Sequence, residues 1–182
     1  MRLDLVLCGL GGQGVILAGR LLGQMALRRG FSIIAAETHG MAQRGGSVVA
    51  HLRLGGARSS LVPAGSADLL IAFKEAEAYR WLYLVKPEGR IILNAAGFPW
   101  PEAAGYVKRQ KIKGQALDAD GLAVENNLLK TENLILLGFA CQAGWLPFSL
   151  VELKTAIKTL AAGRFMERSL KAAALGAEEK LK

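Results

Sequence analysis

Two short stretches hold the residues whose types and spacing could do chemistry. The first is Gly9-Leu10-Gly11-Gly12-Gln13-Gly14, close to the N-terminus. It contains a GxGxxG spacing: the first glycine permits a tight turn, the second lets another group approach the backbone, and the third lets a helix pack on a strand. The free N–H groups at such a helix start favour an anion. From these glycines alone three readings stand: a nicotinamide or flavin dinucleotide site, a site for another phosphate group, or a turn with no ligand. Glu37, at the end of the next apolar run, is the acid that would bind a ribose in the dinucleotide reading. Gln13 counts against that reading, because it crowds a polar side chain into the turn.

The second stretch is Glu37-Thr38-His39-Gly40-Met41-Ala42-Gln43-Arg44-Gly45-Gly46-Ser47. It sets an acid, an imidazole, an amide and a guanidinium among three glycines, so polar groups and close-approaching backbone come together. A zinc site is a weak reading, since His51 lies twelve residues beyond His39 and no second histidine falls within ligand spacing. Ser47 and Ser59 lack the strand-to-helix elbow that would mark a nucleophile. Arg44 could grip a carboxylate or phosphate in bidentate fashion, or pair with an acid of a neighbouring subunit.

Regular elements must position these stretches. Leu3 to Cys8 is a short apolar run ended by glycine, which predicts a buried strand. Gln13 to Arg29 follows helical spacing, with Val15, Ala18, Leu22, Met25 and Ala26 on one face and Gly30 as the stop. Phe31 to Ala36 reads as a second strand, and Glu37 to Gly46 as a loop. Ser47 to Leu54 alternates apolar and polar residues, which predicts a strand with a more exposed face, and Arg58 to Val62 could return as its hairpin partner. Asp68 to Phe73 predicts a strand, Ala76 to Val85 a helix, Pro87-Glu88-Gly89 a turn, and Arg90 to Asn94 another strand.

Pro99-Trp100-Pro101 marks a loop, and Tyr106 to Leu117 is expected as an edge-like strand. Asp118 or Asp120 caps a helix over Gly121 to Asn126. Further helices are expected at Glu132 to Ala143, Ser149 to Leu160 and Arg164 to Lys180. Strands alternating with helices predict an α/β fold: a Rossmann-like, mainly parallel sheet with helices on both faces and one hairpin or edge strand. The 182 residues fit a single domain spanning 1–182.

Composition narrows the function further. The chain is 52% hydrophobic and 21% charged, which is globular rather than disordered. Its two cysteines, Cys8 and Cys141, are too few for a cysteine-ligated iron–sulfur cluster or a four-cysteine zinc site. They read as buried reduced thiols of a cytoplasmic protein. The net charge of +8 is local, in Lys108, Arg109, Lys111 and Lys113 and in the C-terminal third. No aromatic residues interleave with those charges as base stacking would need, so a solvated basic face or a dock for an acidic partner is expected rather than nucleic acid. Leu134 to Val151 carries no formal charge, but Gln142, Gly144, Pro147 and Ser149 break it, so a buried helix and turn is expected and no membrane span.

Taken together, Gly9-x-Gly-Gly-Gln-Gly14, Glu37-x-His-Gly-Met-x-Gln-Arg-Gly-Gly46 and Arg53 resemble the gamma-type domain of 2-oxoacid:ferredoxin oxidoreductases. The His-Gly-Met-Ala-Gln form is most similar to that of the small (beta) subunit of indolepyruvate ferredoxin oxidoreductases. The likeness continues through Asp118-Ala-Asp-Gly-Leu-Ala123, Asn133 and Leu137-Gly138, and departs at Asn126-Asn127, where relatives often show Gly-Asn. The resemblance implies oxidative decarboxylation of a 2-oxoacid with coenzyme A, with electrons passed to ferredoxin.

The resemblance also implies a chain that binds no cofactor itself. Thiamine diphosphate and iron–sulfur clusters are expected on a large thiamine- and ferredoxin-type partner subunit, and coenzyme A at the interface. On that analogy Gly9, Gly11, Gly12, Gln13, Gly14, Glu37, His39, Gln43, Arg44, Gly45 and Gly46 are contacts to ligand or subunit, and none is catalytic. The alternatives are a stand-alone NAD(P)-binding oxidoreductase and a non-catalytic assembly scaffold.

Overall fold

The computed structural model of the chain describes residues 2–39, 45–98 and 101–180, with the backbone alone of His39. The apolar runs become strands β1 (Leu3–Leu10), β2 (Ile33–His39), β3 (Ser47–Leu54), β4 (Ala67–Ala72), β5 (Val85–Asn94) and β6 (Lys113–Leu117). They form one sheet in the order β2-β3-β1-β4-β5-β6. β1, β4, β5 and β6 run parallel, while β3 is antiparallel to both β1 and β2. The expected mainly parallel sheet is therefore present. Its hairpin is β2–β3, folded so that β3 slots between β1 and β2.

Helices cover both faces. α1 (Val15–Arg28), α4 (Ala119–Glu125), α5 (Glu132–Gln142), α6 (Leu150–Leu160) and α7 (Gly163–Glu178) share a core with Leu5, Leu7, Ala50, Leu52, Leu69 and Ile71. α2 (Glu75–Trp81), a single 3-10 turn (Leu82–Leu84) and α3 (Pro101–Arg109) cover Val6, Cys8, Val49, Leu70, Ile91 and Leu93 on the other face. The uncharged segment from Leu134 opens as the buried helix expected: every residue from Asn133 to Cys141 is buried. Among the described residues no helix is long and apolar enough to cross a membrane.

Six local expectations need correction. β3 has no exposed face: Val48, Ala50, Leu52 and Leu54 pack in the core shared with α1, and its polar His51 and Arg53 are buried beneath the segment 58–62. Arg58 to Val62 is not a strand but a strap, held where Arg53 Nη1 donates to the carbonyls of Ser59 and Leu61, both at 3.2 Å. Tyr106 to Leu117 divides into the end of α3 and the short β6. The four-residue spacing of Ala103 and Val107 buries one helical face, Pro101 suits a first helical position, and Lys108 and Arg109 complement the helix C-terminus. Of the expected loop at Pro99 to Pro101, Pro99 and Trp100 lie outside the described residues and Pro101 opens α3.

The loop expected from Glu37 begins later, since β2 runs on through His39. Pro87 to Gly89 lies within β5 rather than before it, at an irregular register where Glu88 adopts φ 60°.

Candidate functional site

The carboxyl ends of β1, β2, β4 and β5 and the start of β3 line one edge of the sheet. Register places His39 opposite Val48, and Val48 opposite Gly9, so both sequence stretches reach this edge. The Gly11 N–H donates to the Gly46 carbonyl at 2.8 Å, joining the two stretches directly. Gly45 is exposed with φ 76°. Gly40, Met41, Ala42, Gln43 and Arg44 lie outside the described residues, and so does the side chain of His39.

The glycine turn is shaped by Gln13. Its Oε1 accepts from the Leu10 N–H at 2.7 Å, and its Nε2 donates to the Phe73 carbonyl at 3.1 Å. A Cβ on Gly9 would lie 2.9 Å from that Oε1, so the amide occupies the space a side chain there would need. Gly14 caps α1 with φ 75°, and a Cβ on it would sit 2.4 Å from Asn133 Nδ2. Asn133 Nδ2 in turn donates to the Gly14 carbonyl at 3.2 Å, fixing α5 to the turn. Gly12 differs: φ is 99°, and a Cβ there would meet nothing within 4 Å among the described atoms.

This geometry does not suit a dinucleotide. In doubly wound sheets the ligand lies in the crevice at the strand carboxyl ends where the order reverses. Here that point falls between β1 and β4, and the Gln13 amide spans it. Nor does Glu37 reach the turn, because the interposed β3 sets β2 two strand spacings, about 10 Å, from β1. Its carboxylate lies instead beside α1, where a Cβ on Gly19 would be 4.0 Å from Oε1. The ribose-binding role read for Glu37 is therefore corrected. Anion-binding capacity remains at the start of α1, which has no side-chain cap and no acid in its first turn.

Sequence reasoning missed Asn94. Its Nδ2 donates to the Phe73 carbonyl at 3.2 Å and to Asp120 Oδ1 at 2.8 Å, while its Oδ1 accepts from the Ala119 N–H at 2.9 Å. The ends of β4 and β5 and the start of α4 are thus one hydrogen-bonded unit, next to Gln13. Asp118 caps α4 as expected, accepting from the Gly121 N–H at 2.8 Å.

A buried polar network lies beneath this edge. Ser47 Oγ donates to Glu77, which also accepts from Trp81 Nε1 at 3.3 Å. His51 Nδ1 accepts from the Val62 N–H at 3.2 Å; burial and the Arg53 charge both hold its pKa below the ordinary value. Arg53 pairs with Asp4 in bidentate fashion, Nε to Oδ1 at 2.8 Å and Nη2 to Oδ2 at 2.9 Å, and this bond holds the guanidinium pKa up.

The cysteines do not fit a cluster. Cys8 packs on the α2 face of the sheet and Cys141 in α5 on the opposite face, so they cannot share an iron. Burial, then the charge of Glu77, raises the Cys8 thiol pKa well above its ordinary value. Burial, then Glu152, pushes Cys141 up to about 12. Neither is a nucleophile at neutral pH. Among the described residues no group of three or more His, Cys, Asp or Glu is arranged to hold a metal ion.

A parallel sheet with one antiparallel strand inserted beside β1 is the fold of known oxoacid oxidoreductase components. It superposes on pyruvate oxidoreductase subunit PORC of Thermotoga maritima with a TM-score of 0.76 at 18% identity, covering 98% of this chain and 96% of that one. The 2-oxoglutarate:ferredoxin oxidoreductase of Magnetococcus marinus, solved with 2-oxoglutarate, coenzyme A and succinyl-CoA bound, gives a TM-score of 0.77 at 18% identity, covering 97% of this chain and 31% of that one. The family model for pyruvate ferredoxin/flavodoxin oxidoreductase matches residues 4–179, and the chain belongs to that family. In sequence it is similar to indolepyruvate oxidoreductase subunit IorB of Archaeoglobus fulgidus, at 32% identity over 97% of this chain and 94% of that subunit. The resemblance read from the paired motifs is borne out.

Proposed function

We propose that this chain, as one gamma-type domain over residues 1–182, is the small subunit of an indolepyruvate-type 2-oxoacid:ferredoxin oxidoreductase of the cytoplasm. The observation that carries this reading is the 32% identity to the Archaeoglobus subunit along nearly the whole of both chains. Thiamine diphosphate and iron–sulfur clusters belong to a large partner subunit, and they supply decarboxylation and electron transfer toward ferredoxin. The placement of the two cysteines supports that division.

This chain contributes its carboxyl edge. Gly11 and Gly12 present backbone that another group can approach, and Gly9 and Gly14 let the turn close. Gln13 holds that turn open-faced rather than contacting substrate. The start of α1 suits a phosphate of coenzyme A, which the Magnetococcus relative binds. His39, Gln43, Arg44, Gly45 and Gly46 meet ligand or partner, and Glu37 meets the partner beside α1.

The reading is tested on the purified chain and on its mixture with a large thiamine- and ferredoxin-type subunit. The chain alone is expected to be colourless and to bind no NADH by calorimetry, and the mixture to elute as one complex. Absorbance near 400 nm from a tightly held cluster, or saturable NADH binding, would sink it.

A further inference from the structure

Most donors of the glycine turn are spent on holding the turn itself. The Leu10 N–H goes to Gln13 Oε1 at 2.7 Å, the Gln13 N–H to the Leu10 carbonyl at 3.0 Å, and the Gly11 N–H to the Gly46 carbonyl at 2.8 Å. The Gly12 N–H has no partner among the described residues, and a Cβ on Gly12 would meet none of their atoms within 4 Å. The open backbone of the turn therefore begins one residue after its contact with Gly46, and that contact sets its direction.

What fixes Gly46 comes from α2. The Gly46 carbonyl shares a rigid peptide plane with the N and Cα of Ser47, so the placement of Ser47 aims it. Ser47 opens β3 opposite Leu10, and its Oγ donates to the Glu77 carboxylate. Glu77 is an unusual residue for its position. It is 3% exposed, on the side of α2 that also buries Ala78 against an apolar core. A carboxylate is costly to bury unless it is hydrogen-bonded. Here Oε2 accepts from Ser47 Oγ and from Trp81 Nε1 at 3.3 Å, and Arg80 Nε stands 3.7 Å from Oε1. Trp81 and Arg80 belong to α2 or its end, so of these three partners Ser47 alone lies on another element. An apolar side chain could fill the position at no desolvation cost; what it would lose is the hold on Ser47.

We propose that Glu77 is a positioning residue for coenzyme A: through Ser47 it aims the Gly46 carbonyl, and through that carbonyl the Gly11–Gly12 backbone that meets a phosphate of the ligand. This rests on the reading that coenzyme A binds at the start of α1. Glu77 itself touches no substrate. Its effect lies in binding geometry, so it falls on KM for coenzyme A rather than on kcat.

The test uses the complex with the large subunit, measuring ferredoxin reduction from indolepyruvate while coenzyme A is varied. Ser47→Ala and Glu77→Ala are expected to raise KM for coenzyme A about 10-fold with kcat nearly kept. Ser47→Thr and Glu77→Gln each keep the hydroxyl-to-carbonyl bond and should keep the parent KM. Ser47→Ala removes one partly buried oxygen, so it remains a test if Glu77→Ala fails to fold. Hydrogen exchange of residues 9–14 is read alongside, with and without coenzyme A at the parent KM. Coenzyme A should slow exchange there in the parent and in Ser47→Thr, and much less in Ser47→Ala. Parent KM and parent protection in Ser47→Ala overturn this inference alone. A lower kcat and melting temperature at unchanged KM make Glu77 a fold-holding residue only and overturn it too. No protection of residues 9–14 in the parent overturns both this inference and the placing of coenzyme A at the turn.

Discussion

Gln13 shows how one side chain can decide what a glycine turn is for. Its amide satisfies the end of β1 and the end of β4 at once. Gln13→Ala removes both bonds and is expected to cost about 1–3 kcal/mol, by the desolvation of unpaired backbone groups. The check is a lower denaturant midpoint at unchanged slope. That the residue crowds the turn is legible in sequence; its partner Phe73, sixty residues away, is not. Asp4 is a second such case, an acid in a strand whose reason appears once Arg53 is seen opposite it. Asp4→Asn strands a buried guanidinium and is expected to destabilise by about 3–5 kcal/mol in the same measurement.

His51 adds a pH dependence at the same scale. Its folded pKa lies below the unfolded value of 6.5, so below about that pH the unfolded chain takes up a proton that the folded chain refuses. Stability therefore falls as pH drops below about 6.5, until the folded pKa is passed. His51→Gln is expected to flatten the melting temperature over that window; an unchanged slope would mean His51 titrates freely.

Elements were legible where one period dominates and misread where neighbours override it. α1, α5, α6 and α7 fall close to their sequence limits, because capping and apolar spacing are local signals. β3 was misread because its alternation of polar and apolar residues suggests a wet face, whereas α1 covers its apolar face and the strap bonded to His51 and Arg53 covers the other. α3 was misread because its apolar residues are few. Packing between elements was not legible at all. A Cβ on Gly138 of α5 would lie 2.0 Å from the Ala173 carbonyl of α7. Gly138→Ala must push these helices apart, at an expected cost of about 1–3 kcal/mol, read from thermal unfolding.

The clasp between α1 and α6 carries its own signature. Arg29 Nη2 reaches Glu152 Oε2 at 2.7 Å, and Ser149 and Glu152 form a capping box. The Arg29 hydrogen bond, and then Ser149, lower the Glu152 pKa from 4.5 to about 2. The stabilisation is full above about 4.5 and is lost as pH falls toward about 2. Glu152→Gln should remove that part of the acid-unfolding curve.

At the scale of the whole molecule, sequence alone supplied the fold class and, through two paired motifs, the family. It could not supply the topology that decides between readings of the glycine turn, because strand order is a long-range property. With β3 placed between β1 and β2, Glu37 leaves the turn, the dinucleotide reading loses its acid, and the carboxyl edge becomes a surface for something bound elsewhere. The central claim is that this edge completes an enzyme whose cofactors lie on the partner. Its most direct test is ferredoxin reduction by the large subunit, supplied with indolepyruvate and coenzyme A, with and without this chain. The expected result is turnover that rises with added chain and saturates at a fixed ratio. Equal turnover by the large subunit alone, or turnover by this chain alone, would contradict it.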